Sequence, residues 1–238
     1  MKAILLGAGK GTRISRMVKA VPKCTLPIDG KPLIKITVDM LEKQGIATTV
    51  CVGYCQNYIK EALKDNNVTY YYNPFFDITN SIASLWFAKD VLDDDMLIMN
   101  ADVFLSESIL NSLISDERDV VMMVDRTRTK TGDYFFSTTD NGCIKEYGKE
   151  LPLLYRDCEY VGISKLSKSF VPQFKKRLEE LICQQKHNMW WEDVIYSFAK
   201  LEERNVYTKD VEGQFWSEID YFDDYERILN YINRMKEH

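Results

Sequence analysis

Histidine is close to missing from this chain: His187 and the terminal His238 are the two among 238 residues. The six cysteines, at positions 24, 51, 55, 143, 158 and 183, include no C-x-x-C pair. With so little histidine beside them no zinc pattern can be drawn, and the cysteines read as reduced thiols, mostly buried. No apolar run approaches the roughly 20 residues that a membrane-spanning helix needs, which excludes helical membrane insertion. The N-terminus runs straight into a strand, without the basic, apolar and small-residue regions of a secretory leader, and the expectation is a cytoplasmic protein. Repeats, low-complexity tracts and linkers are also missing, so neither a solenoid nor a string of modules fits. Positive charge is in short supply too. The 31 Lys and Arg against 36 Asp and Glu leave a formal net charge of -5, which argues against nonspecific nucleic-acid binding, although a cationic site can sit inside an acidic protein.

What is present is ordinary globular material, 45% hydrophobic and 28% charged, in a length that suits one domain over residues 1–238 and would cramp two. Short apolar runs at 2–6, 48–53, 68–72, 96–100 and 119–124 alternate with stretches of helical periodicity. That alternation predicts an α/β fold: a Rossmann-like domain whose mostly parallel mixed sheet is flanked by helices. Pro32 to Lys43 is apolar at helical spacing with Gly45 as its stop, and a second helix runs near Gln56 to Lys64. After Val124 the pattern changes, because two strand-like runs flank Asp140-Asn141-Gly142, which reads as a small hairpin. A strand at 159–165, helices near 168–185 and 191–204, a short strand at 206–211 and a last helix at 223–235 complete the reading.

The first strand feeds Gly7-Ala8-Gly9-Lys10-Gly11-Thr12-Arg13. Three glycines let the backbone turn tightly enough to aim several N–H groups at one anion, while Lys10 and Arg13 add fixed positive charge. The spacing is neither the G-x-G-x-x-G of a dinucleotide fold nor the G-x-x-x-x-G-K-[ST] of a P-loop, which argues against hydride transfer and against a Walker-type ATPase. Downstream come Val21-Pro22-Lys23-Cys24-Thr25-Leu26-Pro27 and Gly30-Lys31-Pro32. Together these segments resemble the N-terminal signature of the sugar-nucleotidyltransferase superfamily, whose members join an NTP to a phosphorylated acceptor and release pyrophosphate. The chain departs from the usual pattern at Gly7, where an alanine is common, and at Cys24, another alanine position. Neither change removes a charge or a needed glycine.

Asn73, Asn80 and Ser84, in Asn73-Pro74-Phe75-Phe76-Asp77-Ile78-Thr79-Asn80-Ser81-Ile82-Ala83-Ser84-Leu85, resemble the acceptor segment of one branch, the cytidylyltransferases for phosphocholine and for phosphonates such as 2-aminoethylphosphonate. Asn80 also reads as a helix N-cap. Met189-Trp190-Trp191-Glu192-Asp193-Val194 resembles the aromatic and acidic segment of the same branch, and Glu159-Tyr160-Val161-Gly162-Ile163 its preceding strand. Rings beside carboxylates attract an ammonium; adjacent tryptophans on a helix point about 100° apart, so both cannot enter one core. Asp102, after the apolar run at 96–100 where open α/β sheets place ligands, matches the superfamily's Mg²⁺-binding aspartate, and Asp220 in Trp216-Ser217-Glu218-Ile219-Asp220 resembles the second ligand. The competing readings are helix capping for Asp102, which Ser106 would perform better, and helix N-terminal charge for Asp220, which Asp223 and Asp224 fit better.

The resemblance implies a Mg²⁺-dependent cytidylyltransferase in which residues 1–125 bind CTP and 126–238 bind a small phosphorylated or phosphonate acceptor. It implies Gly7, Ala8, Gly9, Gly11, Thr12 and Arg13 at the nucleotide, with Lys10, Arg13 and Lys23 as the cations of catalysis. Asn73, Asn80, Ser84, Tyr160, Trp190, Trp191, Glu192 and Asp193 would face the acceptor. No general base is needed, since a phosphate or phosphonate oxygen is largely ionised near neutrality. A sugar-1-phosphate nucleotidyltransferase using UTP, dTTP or GTP and an inactive nucleotide-binding homologue are the alternatives. The resemblance leaves homo-oligomerisation open.

Overall fold

Ala3, Ile4 and Leu5 are wholly buried, as a strand covered on both faces requires. They lie in β1 (Lys2–Gly7), the strand at the middle of a computed structural model that describes residues 1–11 and 21–237. The other strands are β2 (Pro27–Ile28), β3 (Lys31–Pro32), β4 (Ala47–Val52), β5 (Val68–Tyr72), β6 (Met96–Asn100), β7 (Val103–Leu105), β8 (Val120–Asp125), β9 (Phe135–Thr138), β10 (Ile144–Gly148), β11 (Cys158–Leu166), β12 (Tyr207–Asp210) and β13 (Trp216–Glu218). The helices are α1 (Leu33–Lys43), α2 (Gln56–Ala62), α3 (Ser81–Phe87), α4 (Glu107–Ile114), α5 (Val171–Cys183), α6 (Glu192–Lys200) and α7 (Phe222–Lys236).

β1 pairs in parallel with β4 and β6, and β4 with β5. β11 then runs antiparallel against β6 and β8, and β12 closes that side parallel to β8. The sheet is thus mostly parallel with β11 reversed through its middle, and the hairpin β9–β10, whose second strand is also reversed, attaches to the beginning of β11. The fork arises inside β11, whose register slips between Tyr160 and Ser164. Gly162 makes the slip possible: its φ is +94°, and a Cβ there would stand 2.8 Å from Val103 Cγ2. Successive β1 side chains enter opposite cores, Ile4 joining Phe174 and Trp191 beneath α3, α5 and α6, and Ala3 and Leu5 joining Leu41 and Leu110 beneath α1 and α4.

Two short antiparallel ribbons, β2–β3 and β7–β13, were not foreseen, because two- and three-residue strands carry no readable period. The second one positions the site described below. The cysteines correct an expectation: Cys24, Cys51 and Cys158 are buried, Cys55 and Cys143 half-buried and Cys183 exposed, so half rather than most are inside. No described helix is long and apolar enough to cross a membrane.

Candidate active site

Beyond the carboxyl ends of β1 and β6 lies a cavity of about 590 Å³. Gly7, Ala8, Gly9 and Gly11 form part of its wall. Tyr54 N–H donates to Ala8 O at 3.0 Å, tying the turn to the end of β4. Gly11 has a φ of +57° and lies against the Lys23 side chain, so that a Cβ there would stand 2.7 Å from Lys23 Cγ. Lys10 does not reach the cavity. Its ammonium points outward, 4.0 Å from Asp77 and 5.7 Å from the Phe76 ring centroid. Thr12 and Arg13 lie outside the described residues.

At the cavity floor the Lys23 ammonium donates to Asp220 Oδ1 at 2.6 Å and lies 3.6 Å from Asp102 Oδ2. The two aspartates come from distant segments that meet through the β7–β13 ribbon, and Ile219 N–H donates to the Asp102 carbonyl at 3.1 Å. Neither serves as a cap. Ser106 Oγ accepts from Ile109 N to cap α4, and Asp224 accepts from Asp220 N and Tyr221 N at the start of α7. Glu218, half-buried on the same ribbon, faces the pair. Burial and the charges of Asp102 and Asp220 hold its carboxyl pKa well above the usual range, and burial likewise raises that of Asp102. Burial pulls Lys23 downward, but Asp102 and Asp220 outweigh it and its pKa is raised. A floor with more carboxylate than cation attracts a further positive charge, and hard oxygen donors suit Mg²⁺. No three His, Cys, Asp or Glu side chains among the described residues converge to hold a metal by themselves, so phosphate oxygens would have to complete the shell of an ion on Asp102 and Asp220.

The other wall carries Asn80, Ser84, Tyr160, Trp190 and Glu192. Asn80 is both cap and wall: its Oδ1 accepts from Ser81 N at 2.8 Å, and its own N–H donates to His187 O, fastening α3 to the segment before α6. Trp190 is 38% exposed and meets Tyr134 edge-on at 5.9 Å, with Lys149 Nζ over its ring at 4.7 Å. Glu192 is buried, and burial, with Asp193 adding, pushes its carboxyl up to about 8. Tyr160 is buried with its hydroxyl 3.0 Å from Ser164 Oγ.

Three residues expected at the acceptor lie elsewhere. Trp191 is completely buried in the core and donates Nε1–H to Asn100 Oδ1 at 3.0 Å. Asp193 accepts from Trp190 N at 2.8 Å, a local bond at the start of α6, outside the cavity. Asn73 is buried in the loop after β5, donating to Thr79 Oγ1 and Ser84 Oγ and accepting from Phe75 N. It shapes the loop and does not line the cavity.

Asn100 was missed as a site residue. Oriented by Trp191, its Nδ2 lies 3.4 Å from both Glu192 Oε1 and Glu218 Oε1, bridging the acidic floor and the aromatic wall. Its place at the carboxyl end of β6, two residues before Asp102, was the available signal, as was that of Glu218 at the end of β13, two before Asp220. Tyr196, stacked on Tyr134 at 5.2 Å, had no such signal.

A glycine-rich turn at the end of a strand, two aspartates about one lysine, and a wall of rings and carboxylate thus share a single cavity. The chain belongs to the MobA-like NTP transferase domain family, whose pattern matches residues 3–192. Among curated relatives it is similar to the CTP:phosphoglutamine cytidylyltransferase of Campylobacter jejuni, 25% identical over 95% of this chain and 98% of that one. It is also similar to the 2-aminoethylphosphonate cytidylyltransferase of Lancefieldella rimae, 27% identical over 92% and 87%. Among solved structures the CTP:phosphocholine cytidylyltransferase of Streptococcus pneumoniae superposes with a TM-score of 0.81 at 20% identity, covering 97% and 98% of the two chains, and so shares the fold.

Proposed function

We propose that this enzyme transfers CMP from CTP to a small acceptor bearing a phosphate or phosphonate at one end and an ammonium at the other, with release of pyrophosphate. The observation that carries this reading is the convergence of Lys23, Asp102 and Asp220 on one point between the glycine-rich turn and the Trp190–Glu192 wall. The choice of CTP follows the relatives named above; no single residue supports it alone. The backbone of Gly7–Gly11 receives the triphosphate, and Lys23 places its charge where the α-phosphorus reacts. Asp102 and Asp220 would hold Mg²⁺, which when bound offsets the charge of the phosphates and of the leaving pyrophosphate. The acceptor oxygen is already ionised near neutrality, so the protein supplies alignment and positive charge rather than a base. The rings of Trp190 and Tyr134 receive the ammonium, and Glu192, whose carboxyl burial pushes up to about 8, gives up its proton as that cation settles beside it.

The test is pyrophosphate release over a grid of CTP, UTP, dTTP, GTP and ATP against phosphocholine, phosphoethanolamine, 2-aminoethylphosphonate and glucose-1-phosphate. CTP with at least one amine should dominate. Robust turnover of the sugar phosphate with none of the amines would refute the reading.

A further inference from the structure

Two arginines in the same cavity take no part in the site described so far. Arg128 reaches it from the connection between β8 and β9, and Arg227 from α7. Arg128 Nε lies 2.9 Å from Glu159 Oε2 without hydrogen-bond alignment, and its Nη1 is buried with no acceptor among the described residues. Arg227 donates Nη2–H to Ser217 Oγ at 2.6 Å, yet its Nε is likewise buried without an acceptor. A guanidinium cannot shed its proton, so each buried N–H without an acceptor carries a desolvation cost. The two charges also feel each other: burial first, and then Arg128, lower the pKa of Arg227. Nearby carboxylates answer them poorly. Asp125 already accepts from Trp216 Nε1, Thr127 N and Thr127 Oγ1, while burial pushes Glu159 up to about 7, leaving its charge incomplete near neutrality.

Both forks are held in place. The Arg128 guanidinium lies over the Trp216 ring, 4.8 Å from its centroid, and that ring is pinned by its bond to Asp125; Arg227 is pinned by the neighbouring Ser217. Such an arrangement is pre-organised for a planar oxyanion. The anion is not the transferring phosphate, which on the reading above lies at Lys23 and Asp102; no described hydrogen bond or ion pair links either arginine to those two residues.

We propose that Arg128 and Arg227 form a carboxylate subsite in the acceptor half of the cavity, so that the acceptor is a phosphorylated amino acid rather than a simple phosphorylated amine. The proposal rests on the phosphate and ammonium positions assigned under the proposed function. O-phospho-L-serine and phosphoethanolamine differ by the α-carboxylate alone and isolate its contribution. Calorimetric titration of the full chain should show phosphoserine binding roughly 10-fold tighter or more, the scale expected for charge-assisted hydrogen bonds. Arg128→Gln and Arg227→Gln should each erase that preference by weakening phosphoserine alone, with Arg128→Lys restoring part of it, all with unchanged melting. Equal affinity of the wild type for the two ligands, no binding of either, or variants that weaken both equally would overturn the subsite. Pyrophosphate release is followed in parallel with CTP. A binding preference lost in the variants without any turnover supports the subsite and counts against the transfer reaction alone.

Discussion

Replacing Asp220 with Asn should separate catalysis from stability at one position. The substitution keeps the shape of the side chain and removes the charge 2.6 Å from Lys23. For folding, two effects oppose. The Lys23 ion pair loses its nearer partner, and breaking a buried pair ordinarily costs about 3–5 kcal/mol because a charge is left uncompensated. Here Lys23 keeps Asp102 at 3.6 Å, and removal of Asp220 relieves the repulsion that raises the carboxyls of Glu218 and Asp102. The net change should be about 1 kcal/mol or less, a melting shift below roughly 4 °C for a chain of this size. For turnover nothing compensates. The loss of one electrostatic contact to the reacting phosphates costs on the order of 100-fold or more, about 2.7 kcal/mol of barrier. The assay is pyrophosphate release at saturating Mg²⁺ beside a thermal melt. A kcat within about threefold of wild type would remove Asp220 from the proposed metal site, and a melting loss near 10 °C would make the Lys23–Asp220 pair a structural bond instead.

Lys23→Ala should lower kcat far more than it raises the CTP KM, since the proposed reaction puts its charge at the reacting phosphorus; a change confined to acceptor KM would make it an acceptor ligand. The two adjacent tryptophans should behave oppositely. Trp190→Ala raises acceptor KM several-fold, in line with a cation–π contact of roughly 0.5–2 kcal/mol, and leaves CTP binding alone. Trp191→Ala, from a fully buried ring, costs about 3–5 kcal/mol in denaturant unfolding; similar effects of both on acceptor KM alone would contradict the assignment. Glu192 titrates near 8 in the folded state against an ordinary carboxylate when unfolded, so the folded state holds the extra proton between those values. The stability it contributes is complete at low pH and is lost as pH rises toward about 8; urea unfolding from pH 5 to 8 should show that decline, and Glu192→Gln should flatten it.

The strands of the large sheet, the main helices and the stop at Gly45 were legible in order and near their observed bounds, because each rests on a local period or turn rule that a neighbour cannot undo. The Schellman bonds of Gly45 to Glu42 and of Ile46 to Leu41 show that local logic intact. The glycine turn and the placement of Asp102 at the end of β6 belong to the same kind of information. Which of two adjacent side chains faces a ligand does not. Trp190 and Trp191, or Glu192 and Asp193, are chemically equivalent in a string of letters, and only the docking of α6 against the sheet turns Trp190 and Glu192 into the cavity while burying Trp191 and leaving Asp193 to bond Trp190 N. Asn73 was misread for a related reason, its three partners being set by the closure of its loop. The sequence by itself determined the order of elements and the chemical inventory, both carried by short-range patterns. Tertiary structure alone decided which members of that inventory meet: the three-residue ribbon β7–β13, too short to announce itself, brings Asp102, Glu218 and Asp220 around Lys23, because backbone pairing between distant segments is chosen by the packing of the whole chain.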